Sequence, residues 1–214
     1  TYQVVTVDKT TVQAGETVNV KVTLPNISET AGSFTANLKF DTTLFEVVSR
    51  AAPPSLSAHD EGFNVPKSVE IYANPAAIAN TSGELTANAS YTYNTIQVAG
   101  VTVIDATLKA KASGVANFSF TIFEITKSEG GTQYIVKKDQ LETPPSVTIP
   151  KAPITSVSAK VDAPQKGVAL DTTVDVGGAT AYTGTVKWYV GETEATETIA
   201  KANTKYTAKI TLTA

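Results

Sequence analysis

The sequence predicts an all-β protein: a β-sandwich over residues 1–150, followed by a smaller β domain over 151–214. Three observations carry this. Apolar and polar residues alternate with period two through segment after segment rich in Val, Thr, Ile and Tyr. No sustained apolar repeat occurs at helical spacing. Turn signals such as QAGE, SEGG and prolines ahead of strands punctuate the segments. Strands with one apolar face need a second sheet to cover it, so about nine of them in the first 150 residues predict two layers.

Taken in order, ETVNVKVTLP places Val18, Val20, Val22 and Leu24 on one face and Thr17, Asn19, Lys21 and Thr23 on the other. FTANLKF repeats the pattern, with Phe34, Ala36, Leu38 and Phe40 inward and Ser33, Thr35, Asn37 and Lys39 outward. Asp41 is expected to cap the turn that follows, and Leu44, Phe45 and Val47 to plug the corner of the sandwich. The Pro/Ala-rich part 51–66 reads as a long loop, and so does 73–83, with a short helical turn in it. Between them SVEIYA (68–73) reads as a strand with Glu70 and Tyr72 outside. ELTANASYTY (84–93) presents Thr86, Asn88 and Ser90 outward. Its other phase runs Leu85, Ala87, Ala89, Tyr91 and Tyr93, which puts both tyrosines in the core. VTVIDATLKAKA (101–112), VANFSFTIFEIT (115–126), TQYIVKK (132–138) and PSVTIP (145–150) complete the alternating set.

IPKAPITS (149–156) reads as a semi-stiff linker, because its two prolines fix the backbone and interrupt pairing. The alternation then restarts in SVSAKVD, DTTVDVGG, TGTVKWYVG and KYTAKITLTA. About 60 residues is near the lower limit for an independent core. Trp188 is the expected core aromatic, with Val186 and Val190 on its face, and Tyr206, Ala208, Ile210 and Leu212 form the inner phase of the last strand.

Composition excludes several kinds of function. Apolar residues make up 42% of the chain and charged residues 17%, as in globular protein. The net charge is −3 and Arg50 is the only arginine, which does not suit nucleic acid. With no cysteine there is neither a disulfide framework nor a thiolate site. No stretch approaches the roughly 18 apolar residues that span a bilayer. A leader or anchor outside the chain is compatible with the sequence. The one histidine, His59, stands beside Asp60 and Glu61 in a Pro/Ser/Ala-rich segment and is expected as a solvated loop residue. No spacing marks a catalytic triad, a zinc site or an EF-hand loop, so the expectation is a protein with no catalytic residues, no metal and no cofactor. Asn26, Asn80, Asn88 and Asn117 begin glycosylation sequons, which a chain rich in Asn, Ser and Thr produces by chance.

Three segments, in this order and at this spacing, resemble a cohesin domain, the jelly-roll receptor module of cellulosomal scaffolds and bacterial surface proteins. They are AGETVNVKVTLPNI, AGSFTANLKFDTTLFEVVS and VIDATLKAKASGVANFSFTIFEIT. The resemblance covers residues 3–150 and implies a non-catalytic, extracellular interaction module, secreted or on the cell surface in a scaffold or adhesin. The tail from about 155 resembles the short Ig-like repeats of Gram-positive surface proteins, through the strand that starts at Tyr206. The partner implied is a protein ligand, a calcium-loaded dockerin that carries the calcium itself, docked on the face built from the long third strand and the middle strands. By strand phase that face offers Ser33, Thr35, Asn37 and Lys39, then Glu70 and Tyr72, then Thr86, Asn88 and Ser90. Cellulosomal type I cohesins commonly hold Asn and Asp at the positions of Ser33 and Thr35, so this chain departs from them at both. Two alternatives stay open: a carbohydrate-binding module, which wants a planar row of exposed aromatics, and a structural stalk that binds nothing.

Overall fold

Alternation becomes strand wherever a neighbour is available to bury the apolar phase. The computed structural model describes residues 1–60, 62–128 and 132–214. These form two units, Thr1–Ala152 and Pro153–Ala214. The first unit runs β1 (Val5–Val7), β2 (Thr17–Thr23), β3 (Ser33–Lys39), β4 (Phe45–Arg50), β5 (Leu56–His59), β6 (Pro66–Val69) and β7 (Tyr72–Ala73). A helix α1 (Ala76–Ser82) leads to β8 (Glu84–Ser90), β9 (Thr102–Ala110), β10 (Gly114–Ala116), β11 (Ser119–Ser128), β12 (Thr132–Lys137) and β13 (Val147–Ile149). The SEGG turn signal and Glu61 fall largely outside the described residues.

Two sheets make the sandwich, one ordered β1-β2-β9-β4 and the other β12-β11-β3-β8-β7. Their inner phases meet in one core: Val18, Val20, Val22, Ile104, Ala106, Leu108, Phe45 and Val47 from the first sheet, and Phe34, Ala36, Leu38, Leu85, Ala87, Phe123 and Ile125 from the second. Large and small residues share the register along β3. Phe34 lies between Ala89 and Ile125, and Ala36 between Ala87 and Phe123. Each buried Leu or Phe of this core contributes about 1.5–3 kcal/mol.

The corner after β3 is held by Asp41. Its Oδ1 accepts from the Thr43 N–H at 2.8 Å and the Thr43 hydroxyl at 2.6 Å. Its carbonyl accepts from the Leu44 and Phe45 amides. The Thr43 bonds hold the Asp41 carboxyl below its usual range. Phe45 and Val47 then enter the core with Leu44 packed against it, as expected.

Helix α1 has seven residues and no side-chain cap at its start, too little to persist on propensity. Packing holds it instead. Ala79 is fully buried, and Gly83 ends the helix at φ 72, where its N–H reaches the Ala79 carbonyl at 2.8 Å. The Asn80 side chain adds a clamp. Its Oδ1 accepts from the Val47 N–H at 2.7 Å, and its Nδ2 donates to the Val47 carbonyl at 2.9 Å. An amide side chain thus takes the place of a neighbouring strand at the free edge of β4.

The structure departs from the sequence expectations in five places. Residues 51–66 are not all loop, because β5 and β6 pair as a hairpin with Leu56, Ala58 and Val69 buried. SVEIYA is broken at Glu70 and Ile71, since β6 pairs with β5 and β7 with β8. Strand β11 carries a bulge between Phe120 and Ile122, which turns Phe123 and Ile125 inward and Ile122 outward. Tyr91 and Tyr93 lie beyond the end of β8, so its phase does not govern them; Tyr91 is half-buried and Tyr93 is exposed.

The fifth departure is in the second unit. There β14 (Thr183–Val190), β15 (Thr193–Glu194) and β16 (Tyr206–Thr213) form one sheet ordered β15-β14-β16. SVSAKVD and DTTVDVGG supply only the isolated bridge between Lys160 and Asp175, with Val157 left exposed. Trp188 is buried with Leu170 and Ala200, and its indole N–H donates to the Asp171 carbonyl at 2.7 Å. Val190, expected inward with Trp188, is exposed where the strand runs past this small core.

Candidate partner-binding face

Strand β3 is the centre of the five-stranded sheet, flanked by β8 and β11. With Phe34, Ala36 and Leu38 in the core, Ser33, Thr35, Asn37 and Lys39 point away from it. Register brings most of the other candidates onto the same face. Ser33 is opposite Ser90, Thr35 opposite Asn88 and Asn37 opposite Thr86, while Tyr72 of β7 is opposite Asn88 on its other side. Glu70 is the exception. It is exposed but lies between β6 and β7, so no pairing sets it on this face.

The other half of the face comes from β11 and β12, which strand phase alone had left out. Glu124 is opposite Thr35 and also Lys137, so Tyr72, Asn88, Thr35, Glu124 and Lys137 form one row across all five strands. A second row runs Ser90, Ser33, Thr126 and Tyr134, with the Ser33 and Thr126 hydroxyls hydrogen-bonded at 2.7 Å. In a third, Asn37 lies between Thr86 and Ile122. The Asn37 Oδ1 is buried there without a hydrogen-bond partner among the described residues. The signal for Ile122 is in the sequence: the apolar phase of Ala116, Phe118 and Phe120 resumes at Phe123 and Ile125, slipped by one residue.

Chemically, the face is hydroxyl- and amide-rich and nearly neutral, since Lys39 faces Glu84 and Glu124 faces Lys137. Three larger side chains rise from it: Tyr72 at 54% exposure, Tyr134 at 49% and Ile122 at 43%. The Lys137 ammonium lies 4.5 Å from the centre of the Tyr134 ring. Tyr72 and Tyr134 stand on opposite edges of the sheet, four strand spacings or roughly 19 Å apart.

Two polar clusters border the sheet. At one, the Tyr91 hydroxyl donates to Asp60 Oδ1, and Lys67 lies 3.2 Å from Asp60 Oδ2. The shared hydrogen bond holds the Asp60 carboxyl below its usual range and pushes the Tyr91 phenol up to about 12. His59 is not a loop residue: it ends β5, with its backbone N–H bonded to the Thr95 hydroxyl at 3.2 Å. At the other cluster, Arg50 donates to Asn74, and burial lowers its guanidinium pKa to about 10 against a raising effect of the nearby Tyr72. Among the described residues no group of three or more His, Cys, Asp or Glu is placed to hold a metal, and no helix is long and apolar enough to cross a membrane.

The family model of the cohesin domain matches residues 4–162 of this chain. Among solved structures, the chain is similar to a type II cohesin domain from the cellulosome of Acetivibrio cellulolyticus, at 17% identity and a TM-score of 0.45, over 68% of this chain and 94% of that one. A cohesin module from a Clostridium perfringens family 33 glycoside hydrolase matches at 16% identity and a TM-score of 0.41, over 69% and 98%. Type II cohesin A11 from Bacteroides cellulosolvens matches at 14% and 0.45, over 68% and 98%. No curated protein matches.

Proposed function

The chain belongs to the cohesin domain family, and from that premise we propose that the outer face of its five-stranded sheet is the surface on which a dockerin docks. Cohesin domains are non-catalytic modules that bind dockerin partners. The observation that carries the choice of face is the row Tyr72, Asn88, Thr35, Glu124 and Lys137, which crosses all five strands. It supplies a rigid polar platform with separated anchors, the form of an interface built from hydrogen bonds around a few larger contacts. Tyr72 and Tyr134 at opposite edges do not make the continuous aromatic strip on which a sugar chain stacks. We assign the calcium to the partner, the module to a secreted or surface-attached scaffold or adhesin, and the second unit to an Ig-like spacer.

With hydroxyls at Ser33 and Thr35, β3 itself offers neutral hydrogen bonds, and the carboxylate beside them is Glu124 of β11, opposite Thr35 and paired across to Lys137. Calorimetric titration of the chain with a panel of recombinant dockerins, in calcium and again in a chelator, tests the docking face. Saturable one-to-one binding that the chelator abolishes, and that Thr35→Lys weakens at least tenfold (about 1.4 kcal/mol), is the expected result. Binding to none of the dockerins, with retention on insoluble polysaccharide instead, overturns it.

A further inference from the structure

One charged side chain joins the two sheets along an open side of the sandwich. Arg50 ends β4, the edge strand of the four-stranded sheet, and Asn74 follows β7, the edge strand of the five-stranded one. The Arg50 Nη1 donates to the Asn74 carbonyl at 2.8 Å and also to Asn74 Oδ1. Asn74 is 4% exposed and passes the connection on. Its Oδ1 accepts from the Thr86 N–H at 2.8 Å, its Nδ2 donates to the Glu84 carbonyl at 2.9 Å, and its own N–H reaches the Thr86 carbonyl at 3.3 Å. Strand β7 has only two residues, so this side chain prolongs a pairing too short to hold by itself.

The arrangement is a costly way to close a sandwich. Arg50 Nε and Nη2 are buried with no hydrogen-bond partner among the described residues. An apolar side chain of similar length would fill the space without desolvating a charge. What a guanidinium adds is a planar, directional grip, and the element it grips is the one that carries Tyr72.

We propose that Arg50 and Asn74 are positioning residues for Tyr72. They fix β7 on the edge of β8, so that the Tyr72 phenol stands at one place on the docking face before a partner arrives. The gain is in binding, because an anchor already held in place loses little freedom on association. This inference rests on the proposed docking face.

Two measurements on the full chain test it. In Arg50→Met, hydrogen exchange of the Asn74 and Thr86 amides is expected to rise about tenfold or more, while Val20 and Leu108 on the opposite sheet are unchanged. No rise, or an equal rise in both sheets, overturns the positioning role. Arg50→Lys keeps the charge but replaces the fixed pair of Nη1 bonds with a shorter, freely rotating ammonium, and it is read in the same way where the methionine variant does not fold. The second measurement is a double-mutant cycle read with a dockerin that binds the wild-type chain. Arg50→Met is expected to weaken binding about tenfold with Tyr72 present and less than about twofold in a Tyr72→Ala background. Equal losses in both backgrounds overturn the proposal. Thr35→Lys separates the two claims. If it abolishes binding while the cycle shows no coupling, the docking face stands and the positioning role falls. If Thr35→Lys and Tyr72→Ala both leave binding intact, the docking face falls, and a role for Arg50 in partner binding falls with it.

Discussion

Replacing Asn80 by alanine should cost the first unit about 2–3 kcal/mol, an unusual amount for one polar side chain on a short helix. Asn80 makes two hydrogen bonds, at 2.7 and 2.9 Å, to the amide and carbonyl of Val47. Each such bond is worth about 0.5–1.5 kcal/mol net, and leaving a buried backbone group unpaired adds to the loss. Val47 is among the core residues, so its orphaned N–H and C=O are poorly placed to recover water. The loss corresponds to a fall of about 5–10 °C in the midpoint of a unit of this size. The assay is thermal or urea unfolding followed by far-ultraviolet circular dichroism. Fluorescence of the single tryptophan does not serve, because Trp188 lies in the second unit. Asn117→Ala, at an exposed asparagine, is the control and should shift stability by no more than about 0.5 kcal/mol. Asn80→Asp should be worse at neutral pH than at pH 3, since a carboxylate accepts from the Val47 amide but repels the Val47 carbonyl. If Asn80→Ala loses less than about 0.5 kcal/mol, the edge of β4 does not need its clamp and the reasoning is wrong.

The Asp60–Tyr91 bond should give the chain two pH limbs. The Asp60 carboxyl is held below its ordinary value of 3.8, so its contribution is complete above that pH and disappears as pH falls through the lowered value. Tyr91 is raised from 10.0 to about 12, so its contribution is complete below pH 10 and is lost between there and about 12. Tyr91→Phe should flatten both limbs in midpoints measured at pH 3, 7 and 11; limbs unchanged in that variant contradict the assignment. Gly83→Ala should destabilise by about 1 kcal/mol or more, because φ is 72 and a Cβ would stand 3.3 Å from the Phe40 carbonyl; a neutral midpoint speaks against it. Trp188→Phe removes the indole bond to the Asp171 carbonyl from a core whose buried members are Leu170, Trp188 and Ala200. Exchange protection in β14 and β16 should fall while that of β3 and β9 holds, and a fall in β3 as well would be the wrong result.

Strands with one long unbroken alternation were legible from residue order, because the period alone states which side chains enter the core. Strands β2, β3 and β8 are of that kind, and β9 is from Ile104 onward, after the adjacent buried pair Val103 and Ile104. Partnership between strands is not written in the period, so only the placement of β11 beside β3 makes Glu124 a neighbour of Thr35, and only β12 beyond it brings Tyr134 into the row of Ser33 and Thr126. The hairpin of β5 and β6 was obscured because Leu56 and Ala58 are two apolar points among prolines and serines, too few to establish a period. Glu70 shares the phase of Tyr72 only if the strand is continuous, and neither residue announces the break between β6 and β7. The bulge at Ile122 left a trace in the slipped phase of Phe120 and Phe123. Asn74 and Asn80 left none, since an asparagine that completes a sheet edge looks the same in sequence as one that faces water.

The most direct test of the docking face is a chemical-shift map of the isotope-labelled chain, titrated with a calcium-loaded dockerin. The changes are expected to concentrate on Ser33–Lys39, Glu84–Ser90 and the Ile122–Thr126 part of β11, with Tyr72 and Tyr134 among the largest and β2 and β9 silent. Changes that gather on the outward residues of β2 and β9, such as Asn19, Lys21 and Asp105, would place the partner on the opposite sheet and contradict the assignment.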